Sequence, residues 1–143
     1  MSRADYYILA EADRDSREQF LCRLCEKVLA LGKRIYIHVS DETEVERLDT
    51  HLWSFRADAF IPHVILGKTP SAPIEIGCGE QRPDHQEVFI NLALQLPEDA
   101  FAFERIVEIV VQDAEVLGAT RLNYQRCRDQ GIELHRNDMR QRQ

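Results

Sequence analysis

Two hydrophobic periods alternate along the chain and divide it into strands and helices. Residues 5–10 (DYYILA) are a compact apolar-aromatic run and predict a strand. Ser16 then opens a helix, with Gln19 three residues on as a capping box. Phe20, Leu24, Val28 and Leu31 recur at helical spacing until Gly32 stops it. Residues 34–39 (RIYIHV) are β-branched and aromatic, a second strand. Asp41, with Glu44 three residues later, opens a second helix striped by Val45, Leu48 and Leu52. The middle is more broken. A brief strand is predicted at Ala59–Ile61 before Pro62, a loop over 67–73, and short strands at 74–76 and 88–92. Residues 103–111 predict a strand, with a helical first half as the alternative. Residues 114–130 predict a long amphipathic helix ending at Gly131, and 132–134 a last short strand.

A chain that opens strand–helix–strand–helix predicts parallel strands joined by crossovers. The expected architecture is a single-domain three-layer α/β sandwich, with a mostly parallel sheet of nucleotide-binding (Rossmann-like) outline. Residues 1–135 form that domain, and residues 136–143 are expected as a flexible, Arg-rich tail. With 143 residues, 44% hydrophobic and 30% charged, the composition is that of an ordinary globular domain. No apolar run is long enough to span a bilayer, and the N-terminus has no signal-peptide pattern. Four irregularly spaced Cys do not form a disulfide framework. The expected location is the cytoplasm, with reduced thiols.

The net charge of −7 argues against a protein that coats DNA, since phosphate binding needs local positive potential. The charge is uneven, however. Residues 121–143 carry six Arg against three acids, a net of +3, while the remainder holds 12 basic and 22 acidic residues, a net of −10. A basic C-terminal segment on an acidic body is the first functional hint.

Motifs for catalysis or cofactors are incomplete. Cys22-x-x-Cys25 lies inside a helix rather than at its N-terminus, and no second Cys pair completes a metal site, so packing explains it best. Gly77-Cys78-Gly79 follows a strand but lacks the third glycine and the helix of a dinucleotide loop. Gly67-Lys68-Thr69 lacks the upstream glycine of a phosphate loop, and the first strand–helix junction, residues 11–15, is acidic. The outline therefore comes without a nucleotide site. No His pair has the spacing of a helical metal site, and His63 after Pro62 reads as a hydrogen-bonded turn residue. No catalytic set, metal site or cofactor is expected.

Two other features invite a binding role. Trp53, at the end of the second helix, and Phe60, just beyond it, are either core plugs or anchors for a partner. On the last helix, at about 100° per residue with Val116 as zero, Leu117, Thr120, Tyr124 and Cys127 fall within about 100° and face the sheet. Arg121 and Arg128 fall at about 140° and 120°, on the border of that face and flanking Tyr124. Such an arrangement suits an acidic peptide with a hydrophobic end, or else covers Tyr124 from water.

An ordered set of segments is more specific. It comprises Leu48-Asp49-x-x-Leu52-Trp53, Phe60-Ile61-Pro62-His63, residues 72–76 (APIEI) and Asn91-Leu92. Tyr6-Tyr7-Ile8-Leu9 and the turn Gly32-Lys33-Arg34 join it. Over residues 4–135 the chain resembles the chi subunit of bacterial DNA polymerase III holoenzyme. The resemblance implies a non-catalytic accessory subunit of the clamp-loader assembly in DNA replication. Such a subunit binds the psi subunit on one side and the acidic C-terminal tail of single-stranded DNA-binding protein on the other. By position it assigns Trp53 and Phe60 to psi. It assigns Arg121 and Tyr124 to the tail, with Val110 lining the pocket from the preceding strand. Leu117 and Gln125 stand where some members carry Lys, which weakens attraction to an acidic tail. Arg128 and Arg126 are close enough to compensate in part. Contact with nucleic acid is then indirect. The competing expectations are a small α/β enzyme with a non-standard site, a direct single-stranded nucleic-acid binder acting through the Arg-rich C-terminus, and a thiol redox protein.

Overall fold

The computed structural model describes residues 2–54 and 61–140. Its centre is a seven-stranded sheet in the order β3-β4-β2-β5-β6-β1-β7, with every pairing parallel. The strands are β1 (Arg3–Ile8), β2 (Ile35–His38), β3 (His63–Ile65), β4 (Ile74–Gly77), β5 (Val88–Asn91), β6 (Arg105–Val110) and β7 (Glu133–Asp138). The helices are α1 (Arg14–Ala30), α2 (Glu42–Trp53) and α3 (Ala114–Asp129). A short 3₁₀ segment, Glu98–Ala102, precedes β6.

The central strands are nearly continuous apolar runs because both faces of a parallel sheet must be covered. Alternation sorts their side chains into two cores. Ile35, Ile37, Val107 and Ile109 pack with Leu21, Cys22, Cys25 and Val28 of α1 and with Val45, Leu48 and Leu52 of α2. Tyr6, Tyr36, Phe89, Ile106 and Val110 pack on the other face with Phe103 and with Leu117, Tyr124 and Cys127 of α3. Arg47 of α2 bridges to the buried Glu18 of α1, tying the two helices of the first face together.

Several expectations need correction. Asp13, not Ser16, caps α1, and its carboxylate accepts from the Ser16 backbone N–H and hydroxyl. A full negative charge at the helix N-terminus outcompetes the neutral hydroxyl. The third strand is His63–Ile65, beyond Pro62. Of the strand predicted at Ala59–Ile61, residues 59 and 60 lie outside the described residues, and Ile61 belongs to no strand. The helical alternative for 103–111 is displaced upstream, as the 3₁₀ segment. The last strand extends past 135. Arg136, Asn137 and Asp138 pair with Tyr6, Tyr7 and Ile8, and the Met139 N–H donates to the Ile8 carbonyl at 2.8 Å. The segment expected to start a free tail is therefore held by strand pairing up to this point.

One charged residue interrupts the apolar run of β6. Glu108 is 5% exposed, and its Oε1 accepts from the side-chain amides of Asn91 (3.2 Å) and Asn123 (3.1 Å). Asn123 in turn donates to the Leu94 carbonyl at 2.8 Å and accepts from the Leu96 N–H at 3.2 Å. The cluster ties α3 to β5, β6 and the loop after β5. Burial pushes the Glu108 carboxyl up to about 7, against neighbouring donors that favour the anion. The folded state thus holds the Glu108 proton more tightly than the unfolded chain, where 4.5 is the ordinary value. Stability from this group is complete below about pH 4.5 and is lost as pH rises through about 7. Glu108→Gln keeps the acceptor and removes the charge. Thermal melts across pH should show the variant more stable than wild type above pH 7, by on the order of 1–3 kcal/mol, with the gap closing toward pH 5.

Candidate functional site

In an open parallel sheet of this kind, ligands bind where strand connections diverge, at the C-terminal ends of the strands. Here α1 leaves β1 for one face and α3 leaves β6 for the other. The crevice between them is stitched shut: the Gln112 side chain donates to the Leu9 carbonyl and its N–H to the Glu11 carbonyl. Both helix starts are capped by acids, Asp13 and Asp113. Gly77 closes off the other glycine motif, because a Cβ there would meet Leu66 and Tyr36 at 3.0–3.1 Å. That glycine serves close packing between strands.

The expected site residues of the last helix converge elsewhere, at the β7 edge. Asp113 caps α3 and accepts from the Val116 N–H. Asn123, pinned by Glu108, fixes the rotation of the helix. Tyr124 then meets Tyr6 edge-on at 5.1 Å, and the Tyr6 hydroxyl lies 3.6 Å from the Cys127 sulfur. Between α3 and strands β6, β1 and β7 this leaves a cavity of about 530 Å³. Ile8, Val110, Leu117 and Tyr124 supply its apolar surface. Arg121 and Arg128 reach it from α3, and Arg136 and Arg140 from the C-terminal segment. No carboxylate lines it among the described residues. Arg128 makes a loose ion pair with Asp129 at 3.9 Å, both largely exposed. Arg140 is more committed. It grips Asp138 at 2.7–2.9 Å and holds that carboxyl well below the usual range.

Val110, Arg121, Tyr124 and Arg128 are thus brought together around one cavity. Arg126 is not. Its guanidinium donates to the Leu96 carbonyl at 2.6 Å and lies over the Phe101 ring, away from the cavity, so it offers no compensation there. Arg136 and Arg140 join the pocket from the segment expected as a tail, and the local pattern of residues 134–139, mostly polar, carries no strand signal.

Trp53 lies at the opposite end of the sheet. It is 56% exposed, and its ring packs on His63 at 4.3 Å. The His63 side chain is fully buried, with Nδ1 2.6 Å from the Ile61 carbonyl and Nε2 3.1 Å from the Asp49 carbonyl. His63 therefore holds the end of α2 against β3 and supports the indole from beneath. Beside it, Pro62, Val64, Ile65 and Pro73 line a mainly apolar groove of about 520 Å³. Phe60, the second aromatic expected here, lies outside the described residues.

Cys22 and Cys25 are fully buried in the core, and burial pushes the Cys25 thiol well above its ordinary range, which opposes the thiolate needed for redox chemistry. No group of three or more His, Cys, Asp or Glu among the described residues could hold a metal ion, and no helix is long and apolar enough to cross a membrane.

Together these features define a small parallel α/β domain of nucleotide-binding outline with a groove at each sheet edge. Residues 1–135 match the family described as DNA polymerase III chi subunit, HolC, and the chain belongs to that family. It is 39% identical over 134 residues to the DNA polymerase III subunit chi of Pseudomonas aeruginosa, covering 94% of each chain. It is 30% identical over 145 residues to the subunit of that name from Escherichia coli, covering 94% of this chain and 97% of that one. The Haemophilus influenzae subunit chi is 28% identical over 134 residues, covering 92% and 93%.

Trp53 is the single tryptophan, so its fluorescence reports on the β3 edge alone. Acrylamide should quench it readily in the native protein. Trp53→Ala should cost less than about 1 kcal/mol in urea unfolding, as for a surface position, against about 3–5 kcal/mol for a core plug.

Proposed function

We propose that this chain is a non-catalytic accessory subunit of the replicative DNA polymerase's clamp-loader assembly in the cytoplasm. It joins the psi subunit at the β3 edge to the acidic C-terminal tail of single-stranded DNA-binding protein at the β7 edge. Trp53 and Phe60 are the residues assigned to psi; Val110, Arg121, Tyr124 and Arg128 are those assigned to the tail. The observation that carries this reading is the α3–β7 cavity, with four arginines around an apolar floor and no lining carboxylate among the described residues. A peptide ending in a hydrophobic residue with a free carboxylate matches it in charge and shape. The apolar end fills the space over Val110 and Tyr124, and the carboxylate pairs with Arg121 through charge-assisted bonds. The separation of the two grooves supports a linking role. Neighbouring strands are about 4.8 Å apart, so the two edges of a seven-stranded sheet lie roughly 30 Å from each other, far enough for both partners to bind at once.

Leu117 and Gln125 both line the cavity, so the Lys residues carried there by some relatives are absent from this pocket. Arg128 and Arg136 supply positive charge instead, while Arg140 is paired with Asp138. A labelled peptide copying the tail should bind with a Kd of about a micromolar, near −8 kcal/mol, and more weakly as salt rises. Arg121→Ala should weaken it by about 10- to 100-fold in fluorescence anisotropy, the loss of a charge-assisted contact worth about 1.5–3 kcal/mol. Absence of binding at low salt would overturn the tail assignment. Equal binding of a scrambled acidic peptide, or of a single-stranded oligonucleotide, would favour nonspecific anion binding instead.

A further inference from the structure

Strand alternation gives the β7 edge a second groove on its other side. Tyr6 and Ile8 of β1 face the α3 cavity, whereas Tyr7 and Leu9 face a groove of about 430 Å³ between α1 and β7. Tyr7 and Phe20, with ring centroids 5.1 Å apart, and Met139 supply its apolar surface. Arg23 and Lys27, exposed and one helical turn apart on α1, line its rim. Neither makes an ion pair among the described residues. Glu11 is the one carboxylate lining this groove among the described residues. Arg140, just past the end of β7, lines both the α3 cavity and this groove.

Positive side chains therefore flank the end of β7 on both faces, Arg121 and Arg128 from α3 and Arg23 and Lys27 from α1, with the Arg140–Asp138 ion pair between them, on a chain whose net charge is −7. We infer that the α1–β7 groove holds the upstream acidic residues of the same tail whose last residues enter the α3 cavity. The inference rests on the tail reading above and extends it to a second contact on the opposite face of the sheet. Its occupant is anionic because the rim is cationic, and it is an extended peptide because one segment must reach two grooves that open on opposite faces of the sheet. Crossing from one face of the sheet to the other takes about 10 Å, which an extended chain covers in three or four residues at about 3.4 Å each. A peptide of about five residues thus fills the first cavity alone, and one of about twelve reaches the second groove.

Anisotropy with both peptides at low salt tests this. Wild type should bind the longer peptide about 10-fold more tightly than the shorter. The double variant Arg23→Glu/Lys27→Glu should erase that advantage while leaving the short peptide unchanged. Lys33→Glu, a charge reversal lining neither groove, should preserve the advantage. Arg121→Ala should weaken both peptides. If the short peptide binds but the longer gains nothing, or gains equally with Arg23→Glu/Lys27→Glu, the second contact is overturned and the first stands. If Lys33→Glu removes the advantage as fully as the double variant, the gain is general attraction and the groove assignment falls. If neither peptide binds wild type, both readings fail together.

Discussion

A parallel sheet cannot leave either face in water, and among the described residues three α-helices and one short 3₁₀ segment cover seven strands. At about 4.8 Å per strand the sheet is roughly 30 Å wide, while packed helices sit about 8–10 Å apart. On one face α1 lies over β2 and β6, and α2 over β4 and β3. On the other, α3 lies over β6 and β7, with the 3₁₀ segment and Arg82 over Tyr36 and Phe89. At the two edges this coverage leaves gaps. The grooves beside β7 and β3 follow from that shortfall, because edge strands carry apolar residues that the layer above them does not fully seal. In the proposed reading, partners complete the layers that the chain leaves open.

The position of α3 matters most, since it forms one wall of the β7-edge cavity. Apolar packing alone tolerates small rotations of a helix on a sheet. The hydrogen bonds of Asn123 to Leu94, Leu96 and Glu108 do not, because each buried polar group needs its partner. An acidic residue in a β-strand core is costly by itself. Here it fixes which side of α3 faces the sheet, and so which side presents Arg121 and Arg128.

Much of this was legible from local pattern. The two acidic caps Asp41 and Asp113 stand directly before their helices, and the Val45, Leu48 and Leu52 stripe faces the core as its spacing requires. Arg126 was also decidable: at about 100° per residue it lies about 160° from Arg128 around the helix, and the two cannot serve one pocket. Strand β3 was not legible, because three residues behind a proline carry too little period. Nor was the second half of β7, where Arg136, Asn137 and Asp138 are polar and become a strand only through pairing with Tyr6, Tyr7 and Ile8. Glu108 is an acid within an otherwise apolar run, and Asn123 is a polar residue on the buried side of α3. That they meet depends on the crossover from β6 to α3, which no short window contains.

The two edges differ in the physics they offer a partner. The β7 side is dominated by arginines on a negatively charged body, so anionic segments are repelled over most of the surface and drawn to one place. Contacts of that kind form fast, weaken with salt and release readily, because much of their strength stays exposed to solvent. The β3 side offers an exposed indole backed by a fully buried His63 and a proline-lined apolar groove. Burial of apolar surface there responds little to salt, and a rigid aromatic anchor lengthens residence. An adaptor of the proposed kind needs this asymmetry. Its attachment to its own assembly should persist while its hold on a tail breaks and re-forms, and opposite sheet edges let one small domain carry both behaviours without trading one against the other.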